Sequence, residues 1–457
     1  MQNVLDYIRT HRERFENELI EYLRIPSVSA QSSHQPDMQA CAGWIASHAR
    51  QIGLRADVIP TAGHPAVLAR TFTRRTLGRP HFVVYGHYDV QPPEPLDLWK
   101  SPPFEPRRAG RRLYARGASD NKGQHFAHLK AVEACLRSGA GLPVDLTFLI
   151  EGEEEVGSRS LPAFLRQHRR ELRCEAFVIS DTGIPGLQHP ALTYALRGIA
   201  AAEITLTGPS RDLHSGIHGG AVDNPALALC QLLAQLRDPH GRITVPGFYK
   251  DVRPLTAYER RELDRIPHSD AAYRRFLGAP RLFGEHGFTT SERRTARPTL
   301  EINGLTSGYQ GQGSKTIIPS WARAKLTLRL VPDQRPSHVI RSLVSHLRRL
   351  CPPTVRIEIK SGHGGEPYCM SPRHPLAQAA LRALQAAFNR PPVLMREGGS
   401  IPIVNDFKRI LGADSLLLGL ALPDADAHAP NENFHLDCFE RGIALGACLW
   451  PELARAC

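Results

Sequence analysis

The sequence contains no Cys-x-x-Cys pair, and its nine cysteines are scattered along 457 residues. That spacing excludes a cysteine-based zinc module. An odd count without close pairs also argues against a disulfide framework, so reduced thiols are expected. No apolar run approaches the roughly 20 residues that a membrane span needs. Met1 to Arg24 sets Val4, Ile8, Phe15, Leu19 and Leu23 among acids and bases, an amphipathic helix pattern without the apolar stretch of a secretory signal. A cytoplasmic location is the expectation. Basic runs are missing too. The formal net charge is +12, but Arg74–Arg75, Arg107–Arg108, Arg111–Arg112, Arg169–Arg170 and Arg260–Arg261 lie far apart, with acids between them. No basic stretch is interleaved with aromatics, so the charge reads as a solvated surface and not as a nucleic-acid footprint. Repeats and low-complexity tracts are absent as well.

What is present is the composition of a soluble chain of two or three domains, 42% hydrophobic and 22% charged. Strand and helix signals alternate first: strands at Ala66–Ala69 and His81–Tyr85, a helix at Asn121–Leu136, then strands at Val144–Ile150 and Ala176–Ser180. Such alternation implies an α/β layered core. Past Arg197 the style changes. A strand at Ala200–Thr207 and a helix at Pro225–Leu236 precede a long polar segment, Pro239–Arg297. A strand at Lys325–Leu330, a helix at His338–Leu350 and a strand at Val355–Lys360 follow, which suits a small α+β domain. The α/β style returns near Pro375, with helices at Leu376–Phe388 and Ile403–Leu411, strands at Pro392–Met395 and Ser415–Leu418, and a last helix from Cys438. The fold expected is a discontinuous α/β catalytic domain, residues 1–197 and 375–457, with an inserted smaller α+β domain at 198–374.

Groups able to bind metal cluster at the ends of the expected strands. His87 and Asp89 stand two apart on an extended segment and point the same way. One can bind a cation while the other accepts a hydrogen bond from the free imidazole nitrogen. Asp120 precedes a helix and, taken alone, reads as a helix N-cap. Glu151, Glu153, Glu154 and Glu155 crowd the end of a buried strand, where their charge needs compensation. A divalent cation would supply it and leave one carboxylate free as a general base. Asp181 follows the strand ending at Ser180, and His428 lies in a loop near the C-terminus. Each is unremarkable singly. Together, two histidines and several carboxylates at strand ends match the place where open α/β sheets build their sites, and the donor set suits zinc or a similar ion. A bridging carboxylate with two ligands per ion fits a two-metal hydrolase.

With these motifs in order, the sequence resembles the M20 metallopeptidases, and within them the carnosinase-like cytosolic dipeptidase branch. The matching stretches are Gly86–Pro92, Arg116–Gly123, Glu151–Ser158, Ser180–Asp181, Leu213–Gly216, Arg396–Pro402 and His428–Glu432. Gly308–Pro319 and Arg329–Pro332 favour the carnosinase-like branch. The resemblance implies two divalent cations per subunit, zinc first, with manganese or cobalt as alternatives. His87 would bind one cation and His428 the other. Asp120 would bridge them, followed by a cis peptide, and Glu155 and Asp181 would complete the ligands. Glu154 would be the general base and Asp89 would orient His87. The choice of Glu154 and Glu155 over Glu153 rests on aligning Gly157–Ser158, because spacing does not separate them. The inserted domain would dimerise and send His214 into the neighbouring subunit's site. Thr316, Arg329, Gly399 and Ser400 would hold the substrate, Arg329 by gripping its free carboxylate. Locally, His214 and His218 have i, i+4 spacing, but Ser215–Gly216 and Gly219–Gly220 argue against a helix there. His214 is therefore read as stabilising the transition state.

The function this implies is hydrolysis of a dipeptide amide bond. An N-acyl or N-carbamoyl amino acid amidohydrolase could use the same residues. From another class, an inactive family member could serve as a binding protein, against which the complete ligand set argues. The expected partners are a small peptide or N-acyl amino acid and a second copy of the chain, with no nucleic acid and no membrane.

Overall fold

The computed structural model describes residues 1–457, and its chain resolves into two units. The first comprises Met1–Tyr194, Met370–Met395 and Asp406–Cys457; the second comprises Ala195–Cys369 and Arg396–Asn405. The first is thus discontinuous α/β and the inserted second is α+β. The segment Arg396–Asn405, placed by the sequence in the last catalytic stretch, groups with the second unit. Its side chains make their bonds there: Arg396 pairs with Glu259, and Ser400 Oγ donates to the Arg197 carbonyl.

In the first unit, strand His81–His87 runs parallel to Asp145–Glu151 on one side and to Ala176–Ile179 on the other, with Asp414–Leu417 parallel beyond that. Strands Ala66–Arg70 and Arg55–Ile59 extend the sheet antiparallel past Asp145–Glu151. The parallel strands have apolar centres of Val, Ile, Leu and Phe, and His81–His87 and Asp145–Glu151 are buried at every residue. This is the pattern of a sheet covered on both faces. Helix Lys122–Arg137 packs on the sheet and against the long C-terminal helix Leu436–Ala456. Gly446 permits that approach, since a Cβ there would sit 2.5 Å from Ala131 Cβ. All parallel strands therefore end on one side, and their C-terminal loops carry the candidate ligands.

The second unit is a four-stranded antiparallel sheet in the order Thr299–Ser307, Trp321–Leu330, Gly198–Thr207, Arg356–Gly365. Helices Pro225–Ala234 and Pro336–Leu350 bury Leu229, Leu232, Leu343 and Leu347 in one core with Ile204, Leu206, Leu326 and Leu328 of the sheet. The polar stretch after Pro239 holds three short helices, Ala257–Asp264, Asp270–Leu277 and Thr290–Thr295. A four-residue helix, Ser215–His218, does form where glycines argued against one. His214 caps it by accepting the Gly216 N–H on Nδ1, and it stops at Gly219. All nine cysteines are free thiols. No helix is long and apolar enough to cross a membrane.

Candidate metal centre

Each loop leaving the parallel strands contributes to one cluster. His87 is the last residue of its strand and has no exposed surface. Its Nε2 is buried without a hydrogen-bond partner and lies 3.2 Å from Asp120 Oδ1 and 3.7 Å from Asp181 Oδ1. The other Asp120 oxygen, Oδ2, is 2.9 Å from His428 Nε2, and that nitrogen is 3.4 Å from Glu155 Oε2. Asp120 thus gives one oxygen to each histidine. The Asp120–Asn121 peptide is cis, as expected. His428 sits at φ +62°, in a loop that also has Asp426 and Asn431 at positive φ. Side chains pin that loop: Asn431 Oδ1 accepts the Lys100 N–H at 2.8 Å, and its Nδ2 donates to the Leu98 carbonyl at 2.9 Å.

The acidic run separates by direction. Glu153 Oε2 accepts the Ser160 N–H at 3.0 Å, and its other oxygen packs on Gly63. Glu151 accepts from Tyr85 Oη at 2.6 Å and Ser158 Oγ at 2.8 Å, and burial pushes its carboxyl up to about 8. Glu155 faces the cluster and accepts from Gln91 Nε2 at 2.8 Å. Glu154 is buried within the field of His87, Asp181, Glu155 and Asp120. Burial, with the three carboxylates adding to it and His87 opposing, holds the Glu154 carboxyl well above its ordinary range. Burial raises Glu155 as well. Against the pull of burial, the contact with His428 and the nearby His87 imidazole hold Asp120 far below the usual carboxylate range. Hydrogen bonds to Asp120 and Glu155 lift His428 to about 10.

Asp89 departs from the expected geometry. The His87 Nδ1 hydrogen bond goes to its main-chain carbonyl at 3.0 Å, with the carboxylate 3.4 Å away. The fully buried carboxylate accepts from Ser29 Oγ at 2.7 Å and from the N–H groups of Glu155 at 3.0 Å and Glu154 at 3.3 Å. It braces the turn bearing the two glutamates as well as the histidine, because extended backbone puts the carbonyl nearer the ring.

Four carboxylates and two imidazoles, one of them with an orphaned buried nitrogen, form a site short of positive charge. His87, Asp120 and Glu155 bring ligand atoms within 4.8 Å of one another. Divalent cations with mixed N and O preference fit this donor set. A second cluster, Glu18, His48 and Glu133, has similar spacing. There Lys130 ion-pairs with both glutamates, and Arg14 contacts Glu18 at 2.7 Å and Glu133 at 2.6 Å. Two cations already balance two carboxylates, so that cluster is a structural ion-pair network.

Two residues without an assigned role in the sequence tie the ligands together. Asn121 Nδ2 donates to Asp181 Oδ1 at 2.9 Å and to the Ser180 carbonyl, while its Oδ1 accepts the His87 N–H at 3.3 Å. Glu432 binds the loop before Asp120. The motifs Arg116–Gly123 and His428–Glu432 contain both residues, but their partners are distant in sequence.

The candidate substrate residues all lie in the second unit. Arg329 Nη1 donates to Ser400 Oγ at 3.0 Å, and Ser400 Oγ donates to the Arg197 carbonyl at 2.6 Å. The Arg329 guanidinium is half-buried and forms no ion pair, and burial lowers its pKa. Gly399 precedes Ser400 in the same loop. His214 and Thr316 lie together: His214 pairs with Ile317 across a two-stranded ladder, and the Ser215 N–H donates to the Thr316 carbonyl at 3.1 Å.

An α/β sheet with a histidine–carboxylate cluster at its strand ends, its donors suited to divalent cations, points to the class of protein. The chain belongs to peptidase family M20/M25/M40, whose family model matches residues 83–452. It is 30% identical over 473 residues to the Cys-Gly metallodipeptidase of Schizosaccharomyces pombe, covering 99% of this chain and 98% of the relative. It is 29% identical over 477 residues to the Beta-Ala-His dipeptidase of Homo sapiens, covering 100% and 93%. Among solved structures, the di-peptidase Dug1p from Saccharomyces cerevisiae matches with a TM-score of 0.83 at 28% identity, covering 99% of this chain and 98% of that one. An M20 family metallo-carboxypeptidase from Sulfolobus solfataricus matches with a TM-score of 0.83 at 30% identity, covering 96% and 99%.

Proposed function

We propose that this protein hydrolyses the amide bond of dipeptides, using two divalent cations per subunit held by His87, Asp120, Glu155, Asp181 and His428. The observation that carries the reading is the division of Asp120 between the two histidines, one oxygen to each. Zinc is the first choice, with manganese or cobalt suited to the same donors. The near-full-length relatives include a Cys-Gly metallodipeptidase and a Beta-Ala-His dipeptidase, which favours dipeptides over N-acyl amino acids.

The chain's own groups divide the work. Bound cations supply Lewis-acid polarisation of the carbonyl and a more acidic water. Glu154, beside the cluster but not reaching His428, accepts a proton from water as the new C–O bond forms. It then delivers a proton to the amine as the C–N bond breaks. Asp89 keeps the Glu154 turn and the His87 ring in place. Arg329, lacking an ion pair of its own, binds the free carboxylate of the substrate, with Ser400, Gly399 and Thr316 beside it in the binding role. The second unit dimerises, and His214 of the partner subunit donates to the developing oxyanion. Because the His214 Nδ1 accepts the Gly216 N–H, the neutral ring carries its proton on Nε2, the form able to donate. The protein acts in the cytoplasm.

A substrate screen tests the reading: dipeptides, their C-terminal amides and N-acyl amino acids, each with zinc, manganese or cobalt. Turnover should appear with dipeptides and fall sharply with the amides. In Arg329→Ala the preference for the free carboxylate should vanish through a raised KM. Turnover confined to N-acyl or N-carbamoyl amino acids would assign the other chemistry.

A further inference from the structure

Glu432 has no exposed surface and lies four residues beyond His428. Its Oε1 accepts the N–H groups of Ser119 and Asp120, each at 2.9 Å. Its Oε2 accepts the Gly117 N–H at 2.9 Å and Arg116 Nη1 at 2.8 Å. Both oxygens are thereby occupied by donors, so Glu432 is not free to ligate a cation. The three main-chain donors come from the loop that ends in Asp120. Gly117 adopts φ +83°, a conformation glycine takes without strain, and the loop there curls around one carboxylate. The segment bearing His428 and the loop bearing Asp120 are tied by this side chain, which reaches past the main-chain links from the Ala115 N–H to the Glu432 carbonyl and from Asn433 to Tyr114 to hold residues 117–120 themselves.

We propose that Glu432 is a positioning residue: by holding the backbone of residues 117–120 from the segment that carries His428, it fixes the separation of His428 and Asp120 and so sets the affinity for the cation they share. The inference rests on the cation-centre reading above. Residues that orient metal ligands commonly change affinity by about 10–100-fold when altered. In Glu432→Gln an amide N–H₂ replaces one acceptor oxygen and faces main-chain N–H donors, so the loop must shift.

The test is zinc affinity by chelator competition, with the stoichiometry of bound zinc, on the full chain. Glu432→Gln should bind the weaker zinc about tenfold or more less tightly, and dipeptide turnover should recover when zinc is raised. Leu449→Ala, a cavity in the C-terminal core helix, serves as the stability control and should keep wild-type zinc affinity at a comparable loss of Tm. If Glu432→Gln does not fold, Glu432→Asp carries the test, with a smaller loss in the same direction. Wild-type affinity in the glutamate variant, or an equal loss in Leu449→Ala, overturns the inference. Failure of the wild-type chain to bind zinc at all would instead remove the cation-centre reading, and this inference with it.

Discussion

Oδ2 of Asp120 lies 2.9 Å from Nε2 of His428, while the same carboxylate turns Oδ1 towards the buried His87. In the proposed centre, a carboxylate shared in this way would couple two cation positions, whereas each histidine would serve one. Asp120→Ala should therefore strip both ions, and His428→Ala only one. Metal analysis after dialysis checks this, with the expected order wild type two, His428→Ala one and Asp120→Ala none. Equal retention in both variants would count against the bridge.

Glu154 and Glu155 are adjacent but stand in different surroundings, since only Glu155 reaches His428. Glu154→Gln should lower kcat by about 100-fold or more, the ordinary worth of a general base, and leave metal content intact. Glu155→Gln should lose metal. If the two variants behave the other way round, the roles are exchanged.

Spacing does not separate Glu153, Glu154 and Glu155, which are chemically identical neighbours; the resemblance chooses Glu154 and Glu155 by aligning Gly157–Ser158. The fold adds the physical reason for setting Glu153 aside, since it turns to the Ser160 N–H. The parallel strands were legible, because they are short, apolar and bounded by turns. Strand Thr299–Ser307 was not: its register shifts between Ile302 and Gly304, which breaks the alternation that marks a strand. Asp120 is likewise a helix-cap pattern until His87 and His428 arrive from distant chain segments. The bonds of Asn121 to Asp181 and of Glu432 to Asp120 leave no local trace either.

Several buried histidines are held neutral. Burial lowers His48, His81 and His128 to about 4 each. In the unfolded chain a histidine titrates near 6.5. Between these values the unfolded state binds more protons, so stability is full above about 6.5 and is lost as pH falls towards 4. His48 stacks on Trp44 and near Phe126, beside Lys130, Arg14, Glu18 and Glu133, and its Nε2 has no hydrogen-bond partner. His48→Phe should therefore unfold with a shallower acid slope than wild type, measured by Tm across this range. Parallel curves would show that His48 does not titrate in this way.

The exposed His214 and the proposed metal ligands belong to different units. If His214 serves the partner's centre, His214→Ala and Asp120→Ala should each be nearly inactive, and mixing them should restore activity. A heterodimer has one intact site of two, so about half of wild-type activity per heterodimer is expected from that count. Verified heterodimers without recovery would return His214 to a role within its own subunit.

Dipeptide hydrolysis by the stripped and reloaded chain bears most directly on the whole reading. Chelator-treated protein should be inactive and bind no metal, and titrating zinc, manganese or cobalt back should restore turnover, saturating near two ions per subunit. Hydrolysis that survives complete removal of metal, or a fully loaded protein that cleaves no dipeptide, would contradict it.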